Sequence, residues 1–111
     1  MKFLDKIKFL MPFRCTGRDI SYGEAMSIIK EHPNEAILVD VRSIQEYDEG
    51  HLDGAICIPL YDINKITQII KNRDNIIILY CQYGIRSKKA AKILKDLCYT
   101  NVYTICKGLD G

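Results

Sequence analysis

The feature that most constrains this chain is the passage from Ile76-Ile77-Ile78-Leu79-Tyr80 into Cys81-Gln82-Tyr83-Gly84-Ile85-Arg86-Ser87, and then into the lysine-rich stretch Lys88 to Cys98. An unbroken apolar run rich in β-branched residues predicts a strand covered on both faces, because a strand with one wet face alternates. Ala90, Ala91, Leu94, Leu97 and Cys98 recur at helical spacing and predict the inner face of a helix. The loop between them carries a cysteine from a buried strand end to a helix start. It is the candidate functional site.

The nucleophilic form of cysteine is the thiolate, and a helix amino terminus favours negative charge through its free N–H groups and dipole. Gly84 lets the loop curl so that several N–H groups converge on one anionic atom, and Arg86 adds a fixed positive charge close by. The arrangement stabilises an anion on or beside the Cys81 sulfur. A small buried residue at a strand end is a common role for cysteine, but it leaves the glycine and the arginine unexplained.

Similar elements precede the loop. Ser21 and Glu24 form a capping-box pattern before a helix with Tyr22, Ala25, Met26 and Ile29 as its buried stripe, ended by His32-Pro33-Asn34. Ala36 to Val41 reads as a buried strand, and Ser43 with Glu46 as a second capping box over a short helical turn ending near Gly50. Ala55 to Ile58 reads as a short strand closed by Pro59, and Asp62 to Lys71 as a helix with Ile63, Ile66, Ile69 and Ile70 inward. Val102 to Ile105 reads as the last strand. Strands alternating with helices predict an α/β fold, a parallel sheet of four to five strands with helices on both faces. Ligands of such sheets bind beyond the carboxyl ends of the strands, where Cys81 sits.

Ahead of this lies an appended amphipathic segment, residues 1–14, with Phe3, Leu4, Ile7, Leu10 and Met11 on one helical face; Phe13 to Ile20 reads as a linker. The 111 residues make one domain, residues 15–111, large enough for a core without disulfide staples. A net charge of +2 with no dense basic run argues against nucleic acid as a partner. No apolar run reaches the roughly 18 residues that span a bilayer, and the start lacks the pattern of a secretory signal. Five cysteines without CxxC spacing or a Cys/His cluster point to free thiols in a reducing cytoplasm, with no metal site and no cofactor.

From Ser21 to Gly108 the sequence resembles the rhodanese-like family of single-domain sulfurtransferases. The markers are Leu38-Val39-Asp40-Val41-Arg42 with Glu46-Tyr47, Gly50-His51-Leu52-Asp53-Gly54-Ala55, Ile58-Pro59-Leu60, the loop Cys81-x-x-Gly84-x-Arg86-Ser87, and Lys107-Gly108. The resemblance implies that Cys81 accepts a sulfane sulfur as a persulfide. The backbone amides of Gln82, Tyr83, Gly84, Ile85 and Arg86 would cradle the outer sulfur, until a thiol or cyanide removes it. Thiolate attack on sulfur needs no proton taken from the substrate, so no catalytic histidine is required. The donor would be thiosulfate, a polysulfide or a low-molecular-weight persulfide. A persulfide carrier or interaction module serving a partner protein, a possible protein sulfur acceptor, is the alternative. Cysteine-dependent phosphatases that resemble this fold place their arginine six positions after the cysteine, where this chain has Ser87; with Arg86 five positions on, the loop is the smaller cup. A phosphatase or arsenate reductase is therefore the remote alternative. The family usually continues past Lys107-Gly108 into a final helix that is missing here, and the Phe3–Met11 helix or a second copy of the chain is expected to cover the gap.

Asp40, Arg42 and Ser87 are supporting residues. Arg42 is expected to pair with Glu46 within the helical turn, and Asp40 to accept backbone hydrogen bonds. His51 in its turn, and the solvated His32, read as structural. Cys57 and Cys98 read as core, Cys106 as a strand-end thiol with a possible relay role, and Cys15 is unassigned. Lys88, Lys89, Lys92 and Lys95 read as a solvated face able to attract anions.

Overall fold

In the computed structural model, which describes residues 18–110, the strands are β1 (Asp19–Ile20), β2 (Ala36–Asp40), β3 (Ile56–Cys57), β4 (Ile76–Tyr80) and β5 (Asn101–Ile105). They form one parallel sheet in the order β1-β5-β4-β2-β3. β4 lies at its centre, in register with β2 from Ala36↔Ile76 to Asp40↔Tyr80 and with β5 from Ile76↔Asn101 to Leu79↔Thr104. That position explains its unbroken apolar run. Ile77 and Leu79 turn to one face with Val39 and Val41, and Ile78 and Tyr80 turn to the other with Leu38.

The helices are α1 (Tyr22–Glu31), α2 (Ile44–Glu49), α3 (Ile66–Ile69, preceded by a 3₁₀ segment Leu60–Lys65) and α4 (Ile85–Asp96). Ile63, Ile66 and Ile70 around α3, with Ala90 and Leu94 of α4, seal the first face. Ala25 and Ile28 of α1 seal the second, together with Ile20 and Ala55. Both capping boxes form as the sequence predicts, Ser21 with Glu24 and Ser43 with Glu46, each satisfying backbone donors at a helix start. None of the helices among the described residues is long and apolar enough to cross a membrane.

Several local expectations change. Asp19–Ile20, read as linker, is an edge strand pairing with Thr104–Ile105; two residues are too few to show a period. On α1 the buried positions are Glu24, Ala25 and Ile28, while Tyr22 in the first turn is 53% exposed. The helix expected over Asp62–Lys71 is a 3₁₀ segment up to Lys65 and a single α turn from Ile66 to Ile69. Isoleucines are poor α-formers; the 3₁₀ turn stacks Ile63 over Ile66, and the α turn that follows brings Ile70 rather than Ile69 onto the buried face. Cys98 falls past the end of α4 at φ +73 and is exposed rather than core. The amphipathic segment of residues 1–14 and Cys15 lie outside the described residues. Cys57, Cys81 and Cys98 are free thiols, but Cys106 is disulfide-bonded, against the expectation of free thiols throughout. After β5 the described chain closes in a 3₁₀ turn, Gly108–Asp110.

Candidate active site

Cys81 follows directly on β4, at the carboxyl edge of the sheet, and is 1% exposed. Gly84 adopts φ +91 as the N-cap of α4 and turns the chain back over the cysteine. The Gly84 N–H donates to Cys81 Sγ at 3.1 Å and the Ser87 N–H donates to it at 3.3 Å. The thiol lies 3.5 Å from Ser87 Oγ, whose hydroxyl donates to the Gly84 carbonyl at 3.1 Å. Two of the free N–H groups at the start of α4 are thus aimed at one sulfur, an arrangement that favours negative charge there. Gly84 belongs to the span of amides expected around the outer sulfur, and Ser87 directly follows that span. Gln82 is half-buried, whereas the Tyr83 and Ile85 side chains stand 65% exposed at the rim.

The loop is held from behind by the end of β5. Gly108 has φ +61, and a Cβ on it would stand 2.2 Å from the Cys81 carbonyl oxygen and 2.7 Å from the Gln82 carbonyl carbon and oxygen. Leu109 N–H donates to the same Cys81 carbonyl at 2.9 Å. Only glycine allows the two backbones to approach this closely.

The opposite wall comes from α2. Arg86 grips Glu46 with both arms of its guanidinium, Nη1 to Oε1 at 2.7 Å and Nη2 to Oε2 at 3.1 Å. Glu46 is also the capping-box residue of α2, accepting from the Ser43 N–H at 3.0 Å. Arg86, and secondarily the Ser43 amide, hold its carboxyl down at about 2. The Arg86 guanidinium is in turn held charged more firmly, first by its hydrogen bond to Glu46 and, more weakly, by the charge of Cys81.

The expected Arg42–Glu46 pair is replaced by a different one. Arg42 precedes the N-cap Ser43 and so lies outside the helix in which an i,i+4 pair would form. It turns back on Asp40, with Nε to Oδ1 at 3.0 Å and Nη2 to Oδ2 at 2.8 Å, and donates to the Gly50 carbonyl at 2.6 Å. Asp40 also accepts from the Arg42 backbone N–H at 2.9 Å, as expected of it. This buried pair braces the β2–α2 connection next to the cup, with no hydrogen bond to Cys81. His51 stacks on Tyr47 with ring centres 3.7 Å apart, and its Nδ1 lies 2.8 Å from the Tyr47 carbonyl oxygen, a structural role. Cys57 is a poor second nucleophile, because burial, reinforced by the nearby Asp40 and Asp48 carboxylates, pushes its thiol up. Lys88 is not merely solvated, since its Nζ reaches Asp19 at 3.3 Å and ties α4 to β1.

A cysteine cupped by the start of a helix on a parallel sheet is shared by several enzyme families, and sequence comparison decides between them here. The family model of the rhodanese-like domain matches residues 22–111. The chain belongs to the rhodanese-like family. A tRNA uridine(34) hydroxylase of Buchnera aphidicola is 41% identical over 81 residues, 67% of this chain but 25% of that protein. The thiosulfate sulfurtransferase PspE of Escherichia coli is 34% identical over 65 residues, 58% of this chain and 62% of that one. A solved rhodanese with anions from E. coli superposes with a TM-score of 0.62 at 32% identity, over 68% of this chain and 88% of that chain. This rhodanese-like chain spans only about a quarter of the length of the first curated relatives it matches.

Proposed function

We propose that this rhodanese-like chain is a sulfurtransferase that moves a sulfane sulfur from a small donor to a thiophilic acceptor through a persulfide on Cys81. The observation that carries the reading is the pair of N–H groups, from Gly84 and Ser87, pointed at the buried Sγ. In the first step the Cys81 thiolate attacks the outer sulfur of the donor. The Sγ–S bond forms, the donor's S–S bond breaks, and its electron pair leaves with the donor, as sulfite when the donor is thiosulfate. The negative charge passes to the outer sulfur, within reach of the N–H groups at the start of α4. In the second step a thiol or cyanide attacks that sulfur and the pair returns to Sγ, giving ping-pong kinetics. Asp40, Arg42 and Ser87 act by holding the loops, and Arg86 supplies positive charge beside the cup.

Likeness to PspE, named a thiosulfate sulfurtransferase, supports this reaction class. The arginine of the loop is engaged by Glu46 rather than standing free over the cup, which weighs against the phosphatase and arsenate reductase alternatives. Thiosulfate:cyanide sulfurtransfer tests the reading. Turnover by the wild type that disappears in Cys81→Ser supports an enzyme. Persulfide formation without turnover to cyanide or small thiols would instead favour a carrier for a partner protein. Aryl phosphate hydrolysis lost in Cys81→Ser would overturn sulfur transfer.

A further inference from the structure

Among the described residues, the two guanidinium groups on the carboxyl edge of the sheet are matched by carboxylates, Arg42 by Asp40 and Arg86 by Glu46. They are matched in different ways. The Arg42 pair is buried, with side chains 6% and 0% exposed, and it braces a loop. The Arg86 pair is open to solvent, with side chains 36% and 34% exposed, and it borders the cup, because Arg86 lies in the loop between Gly84 and Ser87, whose N–H groups bond Cys81 Sγ. A dianion drawn toward Arg86 is therefore repelled at close range by Glu46, whose carboxyl stays ionised down to about 2. The loop positions Gln82, Tyr83 and Ile85 carry no charge. Tyr83 and Ile85 of the loop, Ile44 at the start of α2 and Tyr61 after β3 are all exposed, and all follow strand ends on this one edge.

We propose that Glu46 is a specificity-determining residue: by occupying Arg86 it turns the cup away from dianionic donors such as thiosulfate and toward a persulfide carried on an organic thiol. The inference rests on the sulfur-transfer reading and names its donor class. With such a donor the Cys81 thiolate attacks the terminal sulfur, the Sγ–S bond forms and the S–S bond to the carrier breaks. The electron pair and the terminal proton leave together as the carrier thiol, and the negative charge stays on the new outer sulfur of Cys81. No dianion enters or leaves the cup, and the apolar rim faces the carbon chain of the carrier.

Glu46→Gln separates the charge of this residue from its cap, because glutamine at the same position still closes a capping box. Steady-state sulfurtransfer is measured for wild type and variant with thiosulfate and with cysteine persulfide as donors. Release of an exposed, charge-assisted pair lowers the KM for thiosulfate by about three- to tenfold. The kcat for thiosulfate and the KM for cysteine persulfide stay within about twofold of wild type, as expected when only binding of the dianion changes. Ser43→Ala, which weakens the same cap but keeps the carboxylate, leaves the ratio of kcat/KM for the two donors unchanged. An unchanged or raised KM for thiosulfate in Glu46→Gln, or equal effects on both donors, overturns the assignment. So does a Ser43→Ala variant that shifts the ratio as Glu46→Gln does. Intact-mass detection of the Cys81 persulfide in the same samples keeps the two claims apart: its absence defeats sulfur transfer itself, whereas its presence with an unmoved KM defeats only the role of Glu46.

Discussion

Gly108→Ala strikes the active loop from behind, and its cost follows from two separate features of the structure. The residue sits at φ +61, where any side chain costs on the order of 1 kcal/mol relative to glycine. The new Cβ would also stand 2.2 Å from the Cys81 carbonyl oxygen, so one of the two backbones must move. That movement disturbs the Leu109 N–H bond to the same carbonyl and lifts the loop that aims the Gly84 and Ser87 amides. A lost backbone bond and a displaced, buried loop add about 2–3 kcal/mol. Gly54 is the matched control, with φ +83 and nothing within 4 Å of its Cβ position, so Gly54→Ala meets only the backbone cost of about 1 kcal/mol. Urea unfolding at equilibrium gives both differences, and thermal melts should show them as about 4 °C per kcal/mol for a domain of this size. Sulfurtransfer should fall far more in Gly108→Ala than in Gly54→Ala. Equal destabilisation of the two variants would refute the close-approach reasoning, because the contact that distinguishes them would then carry no cost.

Further expectations concern the ion pairs and a cap. Asp40→Ala leaves the Arg42 guanidinium buried without its carboxylate and should cost about 3–5 kcal/mol in urea unfolding, whereas the double variant Asp40→Ala/Arg42→Met should recover much of it. The Arg86–Glu46 pair depresses the Glu46 carboxyl from 4.5 to about 2, so its stabilisation is complete above about 4.5 and is lost as pH falls toward about 2. Because both side chains are about a third exposed, that contribution is at most about 1 kcal/mol. Glu46→Gln should accordingly unfold with a shallower dependence on acid over this window, as read from stability against pH. Ser21→Ala removes the acceptor for the Glu24 N–H at the start of α1 and should cost about 1 kcal/mol.

What the sequence conveyed of this molecule was what depends on near neighbours. β4 was legible because a central parallel strand is buried on both faces and therefore apolar at every position. The two capping boxes were legible because serine and glutamate three apart act within one turn. The cup around Cys81 was legible because strand, glycine and helix start are contiguous. Contacts between distant segments were not. Glu46 and Arg86 are forty residues apart, and Arg42, four residues from Glu46, offered a nearer but false partner. The edge strand Asp19–Ile20 is identified only by its pairing with β5, and the approach of Gly108 to Cys81 only by where β5 ends. The 3₁₀ segment before α3 is not distinguishable from an α-helix in sequence, because isoleucines at spacings of three and four suit either helix.

Whether Cys81 holds transferable sulfur is read by intact-mass spectrometry of wild type and Cys81→Ser after incubation with a sulfane donor. Sulfur transfer predicts that the wild type gains the mass of one sulfur atom, loses it on addition of cyanide, and that Cys81→Ser gains none. No gain with thiosulfate, polysulfide or an organic persulfide, or a gain that survives in Cys81→Ser, would contradict it.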